Sequence, residues 1–244
     1  MRHAHADIIS RLQKEILPLQ GFKPKGKNQI NINLGDINLA FPNKTFPLGA
    51  IHEFICPQNE DTSATTGFIS GIISHLLKNE GVALWVSAAR KIFPPSLLQF
   101  GIDPARIIFI DVNNEKDVFW TTRECLKCYG VCAVIGEIKN LDFTQSRKLQ
   151  LAVEDSRVTG FILRTTSKIE SASSCMTRWR ISSLPSNEFE NLPGVGSMQW
   201  NIILEKVRNG RPGKWTIGWI DNDFLLPSQD HHHAIHENEH RKVV

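Results

Sequence analysis

The chain opens on two short rhythms of apolar and polar positions and then settles into a longer one. Between Asp7 and Leu17, the residues Ile8, Ile9, Leu12, Ile16 and Leu17 share one helical stripe, which Pro18 closes. Lys23-Pro24-Lys25-Gly26-Lys27 reads as an exposed basic linker. Ile30-Asn31-Ile32-Asn33-Leu34 alternates with period two up to Gly35, the pattern of an edge strand. After the turn signal Pro47-Leu48-Gly49, residues 50–55 are strand-like. A helix follows from about Ser63 to Lys78, on the stripe Phe68, Ile69, Ile72, Ile73, Leu76 and Leu77. Further strands are predicted at 82–86, 107–111, 131–135 and 160–164. Between them the pattern predicts a short helix around 95–100 and longer ones at about 116–128 and 143–155. This alternation predicts parallel βαβ units, and the unbroken apolar strands predict a sheet covered on both faces.

The last third has another period. Residues 176–181, 199–207 and 214–220 read as three strands with no helix between them, and Asn209-Gly210 marks the turn joining the last two. The expected architecture is α/β: a mainly parallel sheet flanked by helices, with antiparallel strands added at the C-terminal end. Three regions are expected: 1–45 with the N-terminal helix and basic linker, 46–228 with the α/β domain, and a polar, His-rich 229–244 tail expected to be disordered.

Composition narrows the function classes only modestly. Lys and Arg number 28 against 25 Asp and Glu, so a net charge of +3 does not by itself argue for nucleic acid. Apolar runs break far short of the ~20 residues of a membrane helix. The first residues lack a signal-peptide core, and five cysteines, an odd number, fit a reducing compartment. The expectation is a cytoplasmic protein without membrane contact.

The junction between the 50–55 strand and the following helix is where α/β nucleotide-binding proteins hold phosphate, with backbone N–H groups, a Gly-rich loop and a Lys. Here it reads Cys56-Pro57-Gln58-Asn59-Glu60-Asp61-Thr62-Ser63-Ala64-Thr65-Thr66-Gly67. Cys56 takes the first-Gly slot, and no Lys or Arg occurs between Pro57 and Leu77. Glu60 and Asp61 stand where a polyanion would lie, and like charges at close range repel. The position of a phosphate loop is present and its chemistry, including that of Thr65, Thr66 and Gly67, is not expected to bind.

Phe46-Pro47-Leu48-Gly49-Ala50-Ile51-His52-Glu53-Phe54 resembles the strand that leads into the phosphate loop of RecA-type recombinases. More distinctively, Leu141-Asp142-Phe143-Thr144-Gln145-Ser146-Arg147-Lys148-Leu149-Gln150-Leu151-Ala152 resembles the ImuA family. The resemblance continues through residues 158–164 and 177–180, and in all spans about 46 to 220. It implies a RecA-like core without a working ATPase, an accessory factor of SOS-induced translesion synthesis and mutagenesis. The implied partners are an ImuB-like polymerase-related protein and an error-prone C-family DNA polymerase, with RecA a further expected partner and nucleoid association expected at damaged DNA. The 82–86 strand runs into Ser87-Ala88-Ala89-Arg90 with no carboxylate to orient a water. Glu137, after Val134-Ile135-Gly136, is a Walker-B relic or a structural carboxylate at a strand end. A divergent ATPase and a SulA-like inhibitor of cell division are the competing readings.

Other candidates are weaker. Arg178 and Arg180 flank Trp179, and Arg208, Arg211 and Lys214 surround the Asn209-Gly210 turn, with Trp200 and Trp215 nearby in sequence. Arginines with exposed aromatics grip single-stranded DNA by phosphate contact and stacking; with the tryptophans inside they are only a solvated face. Cys125, Cys128 and Cys132 approach a metal spacing, but a core role is expected. His231, His232, His233, His236 and His240 read as a solvated tail, and no cofactor or metal is expected.

Overall fold

The computed structural model describes residues 30, 32–78, 81–89, 92–166, 172–187 and 196–225. The N-terminal helix, the Lys23–Lys27 linker and the His-rich tail expected from the sequence lie outside them. The strands are β1 (Ile51–Ile55), β2 (Val82–Ser87), β3 (Ile107–Asp111), β4 (Val131–Glu137), β5 (Thr159–Arg164), β6 (Thr177–Asn187), β7 (Ser197–Val207), β8 (Gly213–Ile220) and β9 (Asp223–Leu225). The α-helices are α1 (Asn59–Leu77), α2 (Glu115–Cys125) and α3 (Phe143–Ser156).

The nine strands among the described residues form one sheet in the order β3-β2-β4-β5-β1-β6-β7-β8-β9. Pairing is parallel from β3 through to β6 and antiparallel from β6 to β9, as the change of sequence period predicts. Residues of α1 and of the Pro94–Phe100 3-10 turn pack on one face, and α2 and α3 pack on the other. β1 and β5 are therefore buried at every position. A capping box starts α3: Asp142 Oδ1 accepts from the Gln145 backbone N–H at 2.6 Å, and Gln145 Oε1 accepts from the Asp142 N–H at 3.0 Å.

Two local expectations need correction. The alternation around 30–34 makes no strand among the described residues. Ile32 and Leu34 instead anchor the chain in the core beside Ile37 and Phe41, and a 3-10 turn runs from Gly35 to Ala40. Period two here reflects two residues pressed inward, with no neighbouring strand to pair. The second correction is β9, which the sequence reading passed over. Asp221 and Asn222 adopt positive φ of 51° and 60°, the backbone of a tight hairpin turn, and fold Phe224 edge-on against Trp219 at 4.9 Å.

Candidate functional site

β1 carries the chain to the sheet's C-terminal edge, and only Cys56-Pro57-Gln58 separates it from α1. The helix begins at Asn59, four residues before the expected Ser63, so Glu60 and Asp61 form its first turn. Their carboxylates suit that place because a helix N-terminus carries about half a positive charge. Reading the polar run 57–61 as loop overlooked this. A phosphate would have to compete with two carboxylates already on the helix end, and three residues leave no loop to wrap it.

The remaining residues of the degenerate loop are spent on packing. The Cys56 N–H donates to the Arg164 carbonyl at 2.9 Å, and its Sγ lies 3.3 Å from Thr65 Oγ1. Burial pushes the Cys56 thiol up to about 11. Thr65 is fully buried, and a Cβ on Gly67 would sit 3.1 Å from the Trp200 ring. Gly67 therefore serves close approach of α1 to the aromatic core.

Beside this junction lies a cleft of about 800 Å³, between α1, the Pro94–Phe100 turn, the end of β4 and the β6–β7 pair. Asn59, Thr62, Ser63 and Thr66 of α1 line it opposite Phe93, Gln99 and Trp200. Glu137, the last residue of β4, is the one charged residue among the described lining. Its Oε1 accepts from the Trp85 indole N–H at 2.8 Å, so it is held by the neighbouring strand as a strand-end carboxylate. Gly136 before it is required by space, because a Cβ there would sit 2.6 Å from Thr122 Oγ1.

No family model matches the chain. It is 32% identical over 216 residues to Protein ImuA of Caulobacter vibrioides strain NA1000 / CB15N, a match covering 82% of this chain and 88% of that protein. Protein ImuA of Caulobacter vibrioides strain ATCC 19089 matches to the same extent. The chain belongs to the ImuA family. Membership carries the theme of inducible mutagenesis after DNA damage at family level. Within this ImuA family member, the distinctive 141–152 stretch is the capped helix α3, and 158–164 is β5 beside β1.

The arginines of the sequence analysis divide between core and surface. Arg178 Nε donates to Glu53 Oε2 at 3.0 Å, and Arg164 Nη1 pairs with Glu53 Oε1. Glu53 is completely buried in the middle of β1, and Ser173 Oγ donates to its second oxygen at 2.6 Å. Around it, Arg208 donates to the Ser174 carbonyl at 2.8 Å and Lys206 to the Ser173 carbonyl. Burial pulls the Lys206 ammonium below its ordinary value, and Arg178 and Arg208 add to this. Arg180 pairs with Glu205 across β6 and β7, whereas Arg211 and Lys214 are exposed. Sequence reasoning missed Glu53, although a carboxylate inside the apolar run Ile51–Ile55 signals a buried cation partner.

The tryptophans do not accompany the arginines to the surface. Trp179 and Trp200 are buried on the α1 face, and Trp215 packs partly buried against the same core. The stacking half of the DNA-gripping expectation is thereby removed for these residues. Cys125 is buried at the end of α2, Cys128 is exposed, and Cys132 Sγ lies 3.2 Å from the Val82 carbonyl. Among the described residues no group of three His, Cys, Asp or Glu side chains could hold a metal ion, and no helix is long and apolar enough to cross a membrane.

Proposed function

We propose that this chain is a non-catalytic accessory protein of SOS-induced translesion synthesis, acting at damaged DNA in the cytoplasm through protein contacts. Its partners in this reading are an ImuB-like polymerase-related protein, an error-prone C-family polymerase and RecA. The observation that carries the reading is the β1–α1 junction: three connecting residues, no cation, and two carboxylates in the helix's first turn. Family membership supports a role in inducible mutagenesis after DNA damage, and the junction supports a role without nucleotide turnover. The test is damage-induced mutation frequency in a strain deleted for this gene, with undamaged growth scored alongside. Induced mutations falling towards the spontaneous level support the reading, and an unchanged frequency overturns it.

One alternative has an observation of its own. The 800 Å³ cleft lined by Glu137 lies beside the β1–α1 junction, the position at which the resemblance to RecA-type proteins implies nucleotide. Equilibrium titration with labelled ATP separates the two readings. Micromolar binding that is lost in Glu137→Ala would favour a divergent ATP-binding protein; no binding is expected. Filamentous growth on overexpression without DNA damage would instead mark the SulA-like inhibitor.

A further inference from the structure

The antiparallel part of the sheet has one face in the core and, among the described residues, one face open. Along β7, Trp200, Ile202 and Leu204 are buried, whereas Gln199, Asn201, Ile203 and Glu205 are half-exposed. Register aligns Arg180 with Ile203 and Lys214 across three strands, and Ser182 with Asn201 and Thr216 in the next row. Arg178 and Lys206 oppose each other at the α3 end, and the turn beyond carries Arg208 and Arg211. This open side and its turn thus carry five cations, Arg180, Lys206, Arg208, Arg211 and Lys214, and the carboxylate of Glu205, while Arg178 is taken up with Arg164 by Glu53 below.

We infer that this open face, from Arg180 and Lys214 to the Arg208–Arg211 turn, binds the phosphodiester backbone of single-stranded DNA. Charge fits a polyanion, and Ser182, Asn201 and Thr216 offer donors of the kind that position phosphates. Ile203 is the apolar side chain in these two rows, whereas the centre of a protein interface is apolar and depleted in charge. Three strands make a surface about 10 Å across, and among the described residues no helix projects from it to enter a duplex groove. Because the tryptophans face the other way, contact is through phosphates and independent of base sequence. The inference goes beyond the accessory role by assigning a surface and a ligand, and its failure would leave the mutation-frequency test of that role untouched.

Fluorescence anisotropy of the full chain with a labelled oligothymidylate over a salt series tests it. Lys206, Arg208, Arg211 and Lys214 give an expected log–log salt slope of about −3, at ~0.7 per phosphate contact on a single strand. Arg211→Ala and Lys214→Ala, both at exposed positions and checked for unaltered thermal unfolding, each reduce the slope by about 0.7. Glu205→Gln, which releases Arg180 from its partner, tightens binding about twofold. That change of sign is one a merely structural role would not produce. Binding unaltered by these substitutions would overturn the inference and shift attention to the Lys23–Lys27 segment. Duplex bound as tightly as the single strand, or displacement by polyglutamate as effective as by DNA, would also overturn it, the latter in favour of an acidic protein partner.

Discussion

From β2 to β1 the sheet is sandwiched between helices and its strands are mainly apolar on both faces; from β6 to β9 the same sheet continues with one dry face and one wet. The two halves treat charge in opposite ways. In the parallel half, Glu53 is admitted to the interior only with Arg164, Arg178 and Ser173 on its two oxygens. In the extension, charges sit on the open face and the interior is aromatic, with Trp200, Trp219 and Phe224 within 6.3 Å centroid contacts of one another or of Phe68. A buried ion pair contributes little net stability but makes removal of one partner costly, whereas an open face tolerates exchange. The parallel half is thus fixed by its chemistry, and the extension is free to vary on one side.

The largest expected effect breaks the interior arrangement. Glu53→Gln leaves two arginines without their countercharge and is expected to cost about 3–5 kcal/mol in urea unfolding. A loss under ~1 kcal/mol would mean that water reaches this cluster. Next, adjacent residues of β7 compare the faces directly. Ile202→Ala, from the dry face, is expected to cost about 3 kcal/mol, and Ile203→Ala, from the wet face, under ~1 kcal/mol. Equal losses would show that something covers the open face in solution.

A pH dependence belongs to the centre of the sheet. His52 is fully buried between the Pro47 carbonyl at 2.8 Å and Thr177 Oγ1 at 2.7 Å. Because the Pro47 carbonyl can only accept, His52 Nε2–H donates to it, and Nδ1 of the neutral ring accepts from the Thr177 hydroxyl, whose oxygen also accepts from the Trp179 indole N–H. This neutral ring is pulled down to about 3 by burial, against an ordinary value of 6.5. Between those values the unfolded chain binds a proton that the folded chain refuses, so stability falls as pH drops through 6.5. About 2 kcal/mol is expected to be lost by pH 5, and His52→Gln should flatten that slope in acid-unfolding curves. The smallest effect is chemical. Exposed Cys128 should react first with a thiol reagent in the folded protein, while Cys56 and Cys175, raised by burial to about 11 and about 12, react only after unfolding.

Most of the parallel half was legible because its signal is local: apolar runs of strand length separated by helical stripes. The extension was legible from its hairpin turn, where Asn209 takes a φ of 57°. What escaped depended on partners distant in sequence. Ile32 and Leu34 alternate like a strand but answer to the core below them, and no local pattern tells the two apart. Glu60 and Asp61 read as loop until the helix is seen to start at Asn59, where acidic residues are favourable. The same holds for the candidate site. The loss of phosphate chemistry is visible in the missing cations, but the division of the arginines between Glu53, Glu205 and the open face requires the register of β6 against β1 and β7.

β1 lies at the middle of the sheet, yet its two neighbours come late in the chain. His52 meets Thr177 across a separation of 125 residues. At ~5–20 residues per second of synthesis, about 6–25 s pass between the appearance of this strand and that of its second partner. Until β5 is made both hydrogen-bonding edges of this short, mainly apolar segment are open, and the edge that β6 will cover stays open throughout the interval. The growing chain is therefore most exposed to misassociation before Trp179 is made, and a chain truncated short of β6 would keep that edge open permanently.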